Sequence, residues 1–245
     1  MSNEEKQQED FISTVSHELR TPLTSIRGFA QTMLSSWDKL DDEHKKKFIL
    51  IIEQQSNRLI NLVENMLSVN KLSSFKDKFV YKNANANTLI EPIVQMVKHQ
   101  YCEHIFETEF NKKIPQILVD VDKFQQIMTN LIENAAKYSN DGTKITVKTD
   151  FSTSPDSISI KVMDEGIGIK EEDFEKIFSK FSRLDNPLTR KVQGSGLGLY
   201  ITRTLVKKMN GEISVKSSEN GTTFEVLLPV ENVEHQAVKP FKGHN

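Results

Sequence analysis

The chain has 245 residues, 32 of them basic and 34 acidic, for a formal net charge of −2. That length allows one large domain or two small ones, and the near-neutral balance offers no basic face to nucleic acid or to an anionic membrane, so any phosphate site must be local. One cysteine, Cys102, excludes a disulfide framework, no apolar run approaches the roughly 20 residues of a membrane helix, and the opening MSNEEKQQED is too polar for a signal peptide; the chain reads as soluble and cytoplasmic, either whole or the cytoplasmic part of a membrane-anchored receptor.

Ile12, Val15, Leu19, Pro22, Ile26, Phe29 and Met33 alternate steps of three and four, the seam of a heptad helix. Phe48, Ile52, Gln55, Leu59, Leu62, Met66 and Val69 repeat the alternation, and Ile49, Ile60, Val63 and Leu67 widen that second apolar face. The width suits a four-helix bundle. Two helices joined by SSWDKLDDEHK supply half of one, so a second copy of the chain completes it and a homodimer is expected.

The heptads stop near Ser73. The polar, Asn-rich SSFKDKFVYKNANAN reads as a join, giving a first domain over 1–74, a second over 75–230 and a disordered tail over 231–245. In the second domain Thr88–His104 reads as a helix with Pro92 in its first turn, Ile117–Val121 as a strand and Asp122–Tyr138 as an amphipathic helix. Ile145–Phe151, Ile158–Met163, Glu212–Lys216 and Thr223–Leu228 are strand-like, with a helix over Leu197–Met209. The class is α+β, a mixed sheet with helices on one face.

His17 falls at heptad position f, furthest from the seam, and so faces solvent. An arbitrary f-position histidine is usually an idle surface residue. Pro22, however, cannot donate to the carbonyl of Glu18 and crowds it, a helix-interior defect of roughly 3 kcal/mol, which loosens the helix beside His17. A neutral imidazole keeps a nucleophilic lone pair on one ring nitrogen, and Glu18 beside it is placed to stabilise the cation that attack creates. The stretch SHELRTPLTSI resembles the phosphoacceptor box of bacterial sensor histidine kinases, in which the histidine is autophosphorylated.

Four further pieces follow. In NLIENAAKYSN, Asn130, Asn134 and Lys137 share one helical face while Leu131, Ile132 and Ala135 take the buried side, an arrangement suited to Mg²⁺ and phosphate but also to an ordinary amphipathic helix. DEGIGI follows a strand, with Asp164 placed to accept an adenine amino hydrogen and Gly166 and Gly168 permitting close approach of a base. DFEKIFSKFSRLD carries Phe174, Phe178 and Phe181, which read as simple core or as the hinge of a flexible lid, the first two favouring core, with Arg183 placed to meet phosphate. GSGLGLYI runs Gly194, Gly196 and Gly198 into a helix start, where free N–H groups meet phosphate oxygens.

Each piece is weak alone. In this order they resemble the N, first glycine, phenylalanine and second glycine boxes of the kinases' ATP-binding domain, with GTTFEVLLP as its closing strand. The resemblance spans about Asp10 to Val230. It implies a Bergerat-type α/β sandwich after the helical hairpin, and no P-loop signature is present. It implies ATP and Mg²⁺ as cofactors, Asn134 as the Mg²⁺ ligand, and Tyr138, Leu197 and Thr223 as further ATP-binding residues. It also implies phosphotransfer to an aspartate in a response-regulator receiver domain. Thr21, one turn after His17, is the residue implied to orient water when such a kinase dephosphorylates its regulator.

Two rivals use the same fold. A free ATPase needs a water-activating carboxylate four residues before the Mg²⁺-binding Asn, and Asn130 occupies that place. A non-catalytic dimer module would not need every box chemically intact. His99, Cys102 and His104 form H-x-x-C-x-H without a fourth ligand nearby, which argues against a metal site, and Trp37 reads as packing.

Overall fold

The three-four alternation closes into two long helices, α1 (Asn3–Ser36) and α2 (Asp42–Ser73), joined through a 3₁₀ turn at Trp37–Lys39. The structure is a computed structural model that describes residues 3–73, 78–152, 156–182, 184 and 195–230. The tail beyond Val230 lies outside the described residues. Asp41 starts α2: its carboxylate accepts the His44 N–H at 2.8 Å, satisfying one of the donors that a helix start leaves open. Pro22 is buried in the seam and α1 continues through it.

Met33, Leu62, Val69 and Leu72 are buried, and Phe29 meets Phe48 with ring centroids 5.1 Å apart. The four residues that widen the second face behave differently. Ile49, Ile60, Val63 and Leu67 stay 53, 54, 44 and 52% exposed in the single chain. Trp37 does not pack as the sequence suggests: it is half-exposed, with the Lys45 ammonium 4.8 Å from the ring centroid.

A second compact unit follows the hairpin. It contains β1 (Tyr81–Ala84), α3 (Ala86–Gln100), β2 (Ile105–Phe110), β3 (Ile117–Asp120), α4 (Val121–Lys137), β4 (Lys144–Phe151), β5 (Ser157–Asp164), α5 (Gly198–Lys208), β6 (Glu212–Ser218) and β7 (Gly221–Pro229). Two 3₁₀ turns, Glu171–Asp173 and Lys176–Phe178, lie between β5 and α5. The main sheet runs β2-β4-β5-β7-β6, parallel only between β2 and β4, and β1 pairs antiparallel with β3 in a separate ribbon.

Helices cover one face of the sheet, α4 lying between α3 and α5. Phe124, Ile127, Leu131 and Ile132 of α4 are fully buried, as are Ile145, Val147, Ile158 and Val226 of the sheet. The opposite face is charged. Glu109, Lys148, Lys161 and Glu225 sit in one cross-strand row, with Lys148–Glu109 at 3.0 Å and Lys161–Glu225 at 3.5 Å. One apolar face and one wet face give the strands their alternation.

Three expectations change. β1 lies inside the stretch that reads as a mere join, and β2 follows α3 where no strand is legible. α3 begins at Ala86, where the Asn85 side chain accepts the Thr88 N–H at 3.3 Å, so Pro92 falls in the helix interior rather than its first turn.

Candidate active site

In the hairpin, His17 is exposed on α1, as its f position requires. Glu18, one residue on, turns toward α2 and pairs with Arg58 at 3.2 Å, both side chains about one-fifth exposed. The Thr21 hydroxyl donates to the His17 carbonyl at 3.3 Å. Pro22 brings no N–H to the Glu18 carbonyl, so the backbone beside the histidine lacks one helical bond.

The α/β unit contains a cavity of about 730 Å³. Asn134 and Tyr138 contribute from the end of α4, Asp164 from the end of β5, and Ile167, Gly168, Ile169 and Lys170 from the loop that follows. Ile177, Ser182, Leu184 and Leu199 line another side, and Ser218, Glu219, Thr222 and Phe224 bring in the β6–β7 hairpin. Apolar side chains interleaved with polar and charged ones suit a flat heteroaromatic base attached to a polar tail.

Asp164 is the key polar group. Its Oδ1 accepts two backbone N–H groups, from Gly166 at 2.9 Å and Thr222 at 3.1 Å. Burial pushes the carboxyl up to about 6, although both hydrogen bonds favour the anion. With Oδ1 occupied, the other oxygen is the one left for a ligand.

The glycines of DEGIGI work by letting protein strands close on one another. A Cβ on Gly166 would collide with the Tyr138 carbonyl, and one on Gly168, at φ 70°, with the Ser218 carbonyl. These contacts lock the loop against α4 on one side and the β6–β7 hairpin on the other.

The structure separates residues that the sequence groups together. Asn134 lines the cavity, and its side chain makes no hydrogen bond to another described residue. Its carbonyl oxygen is a hard ligand of the type Mg²⁺ takes. Asn130 faces elsewhere: its amide donates to Thr202 at 2.8 Å, and Gly198 packs so closely on it that a Cβ there would clash. Asn130 thus joins α4 to α5.

Lys137 is paired with Glu133 at 2.5 Å and does not line the cavity. Burial works against its charge, but the Glu133 charge and hydrogen bond outweigh it and raise the ammonium's pKa.

Thr223 is displaced by parity. Thr222, Phe224, Val226 and Leu228 are the buried residues of β7, whereas Thr223 stands between Met163 and Lys216 on the charged side of the sheet. The inward residue is Thr222, and the apolar alternation Phe224, Val226, Leu228 signals it in the sequence. Phe178 is buried edge-on to Phe224, Phe174 is half-buried, and Phe181 has φ 57°. Gly196 has φ 66° and Leu197 is fully buried ahead of α5. Arg183 and Gly194 lie outside the described residues.

Residues 7–75 match the His Kinase A phospho-acceptor domain, and residues 119–232 match the family of histidine kinase-, DNA gyrase B- and HSP90-like ATPases. The chain is 33% identical over 231 residues to the sensor histidine kinase WalK of Bacillus subtilis (strain 168), covering 92% of this chain and 37% of that protein. It is 32% identical to the sensor protein kinase WalK of Staphylococcus aureus, covering 94% of this chain and 55% of that one. The chain therefore spans little more than a third to about half the length of these relatives. Among solved structures, histidine kinase ThkA in complex with response regulator protein TrrA superposes with a TM-score of 0.72 at 27% identity, covering 91% of this chain and 61% of that one. Acinetobacter baumannii histidine kinase AdeS shares the fold, with a TM-score of 0.68 at 22% identity over 88% of this chain and 98% of that one.

Proposed function

Because the chain belongs to the sensor histidine kinases, we propose that it transfers the γ-phosphoryl group of ATP to His17 and then to an aspartate of a response-regulator receiver domain. The observation that carries this reading is the pairing, in one chain, of an exposed His17 on a locally loosened helix with a cavity whose half-buried carboxylate is set to accept an amino group. The imidazole lone pair attacks the γ-phosphorus, an N–P bond forms, and the bond to the β–γ bridging oxygen breaks with its electron pair leaving on ADP. The ring is then cationic until the proton on its other nitrogen departs. Glu18 is the carboxylate to take it, exchanging Arg58 for the imidazole.

Asn134 fits a Mg²⁺ ion, which when bound would neutralise charge on the triphosphate. The exposed stripe Ile49, Ile60, Val63 and Leu67 fits a second copy of the hairpin, giving a homodimeric four-helix bundle. The partition at 74 and 75 assigns the phosphoacceptor to the first domain and the nucleotide to the second. A free ATPase is disfavoured because Asn130, tied to Thr202, cannot act as a base toward water.

The chain incubated with γ-labelled Mg-ATP should take up label that is stable in base and lost in acid, and His17→Gln should take up none. Acid-stable label on that variant would place the phosphoryl group on a hydroxyl and end this reading. The same surface serves an opposing reaction, hydrolysis of the regulator's phosphoaspartate to carboxylate and inorganic phosphate: the Thr21 hydroxyl, donating to the His17 carbonyl, keeps lone pairs with which to orient the attacking water. Thr21→Ala should keep autophosphorylation within about threefold while losing most dephosphorylation of a purified phospho-regulator; undiminished dephosphorylation would remove Thr21 from the role.

A further inference from the structure

We propose that Ser217, a β6 residue outside the cavity lining, is a positioning residue that makes the nucleotide site select an amino-bearing base. The inference rests on the nucleotide reading of the cavity and names what sets its base specificity.

Three groups converge on the Ser217 hydroxyl. It accepts the Ile169 N–H at 2.8 Å, lies 3.0 Å from the Gly221 carbonyl and lies 3.0 Å from the Thr222 hydroxyl. A hydroxyl has one hydrogen and two lone pairs. The Gly221 carbonyl can only accept, so the hydrogen of Ser217 goes there. Any other orientation would leave two oxygens 3.0 Å apart with no proton between them. Thr222 must then donate to Ser217, using its only hydrogen.

That assignment fixes what the cavity presents. Thr222 lines it and, with its hydrogen committed, turns only lone pairs toward a ligand. Asp164 does likewise, since Oδ1 is engaged by Gly166 and Thr222 and its second oxygen is free to accept. Two neighbouring acceptors favour an exocyclic amino group and repel a carbonyl in the same place. The bond to Ile169 adds a geometric constraint: it pins the loop carrying Ile167, Gly168 and Ile169, three wall residues, to the same hairpin that carries Thr222.

Ser217→Ala frees the Thr222 hydrogen and leaves the Ile169 N–H without its acceptor. The Thr222 hydroxyl can then donate into the cavity, and preference between amino and carbonyl bases narrows. Ser217→Thr keeps the hydroxyl and suits a strand.

Affinities of ADP and inosine diphosphate, whose base carries a carbonyl in place of the amino group, test this on the full chain. Ser217→Ala should weaken ADP about tenfold while changing inosine diphosphate by less than about threefold. Ser217→Thr should restore the wild-type ratio. In autophosphorylation the Ala variant should raise the KM for ATP and leave kcat at saturation within about twofold.

Equal weakening of both nucleotides, or an unchanged ADP affinity, would overturn the role of Ser217 while leaving the nucleotide site standing. Wild-type chain that bound neither nucleotide would overturn the site itself and the proposal with it. If the Ala chain does not fold, Ser217→Cys carries the same test, because a thiol is a poor acceptor for the Ile169 N–H and should give an intermediate ratio; a wild-type ratio there would overturn the proposal.

Discussion

Asp164 combines two opposed pH dependences in one side chain. Its carboxyl sits at about 6 against an ordinary 3.8, raised by burial, so between those values the folded chain holds a proton that the unfolded chain has released. The contribution of this group to stability therefore falls as pH rises through that window. Ligand affinity runs the other way: Oδ1 is engaged by two N–H groups, the proton goes to the other oxygen, and that oxygen changes from acceptor to donor. ADP affinity should rise with pH up to about 6 and then level, while this group pulls the melting temperature of the ligand-free chain down over the same range. Asp164→Asn should flatten both profiles; a wild-type affinity profile in that variant would take Asp164 out of the site. Asp164 is legible from its place after a strand, and Asn134 from its place on the polar face of a helix. The pairing of Lys137 with Glu133 is not, because an i,i+4 contact competes with a phosphate that the sequence cannot weigh. Thr223 misled because two adjacent threonines differ only in which side of the strand they occupy.

At the scale of elements, the long helices were the most legible, since their spacing persists over many turns. The same spacing also marks what remains uncovered. Ile60 and Leu67 are 54 and 52% exposed on α2, one heptad apart, and replacing both with Lys should convert a dimer to a monomer in light scattering at micromolar concentration. A dimer that survived would place the interface elsewhere on the hairpin. β1 escaped notice because YKNA has no apolar alternation, and its register comes from β3 together with the Val80 N–H, donated to Asp120 at 2.9 Å. β2 is an edge strand whose residues are mostly exposed, so burial left little pattern in IFETEF. Pro92 reads as a first-turn residue because the Asn85 cap, three residues before the expected start, carries no apolar signal.

The chain folds as two compact units, with His17 in one and the cavity in the other, and perturbations should divide in the same way. Asn134→Asp should abolish autophosphorylation while leaving the dimer's mass unchanged, and the paired Lys substitutions in α2 should lose the dimer while leaving ADP affinity within about twofold. Loss of ADP binding in the α2 variant would show that nucleotide affinity depends on the hairpin's assembly. Within the second unit the cavity draws on residues from Asn134 to Phe224, so it exists only once α4, β5 and the β6–β7 hairpin are all in register. The parity of β7 then limits how the turn after β6 can change in length. Glu219 and Asn220 separate the two strands, and deleting Asn220 alone would feed β7 into the sheet one residue out of phase, turning Thr223 inward and Phe224, Val226 and Leu228 toward the charged face. Loss of a single residue there would cost both the core and the pocket, whereas an insertion can be taken up by lengthening the turn and should be far better tolerated.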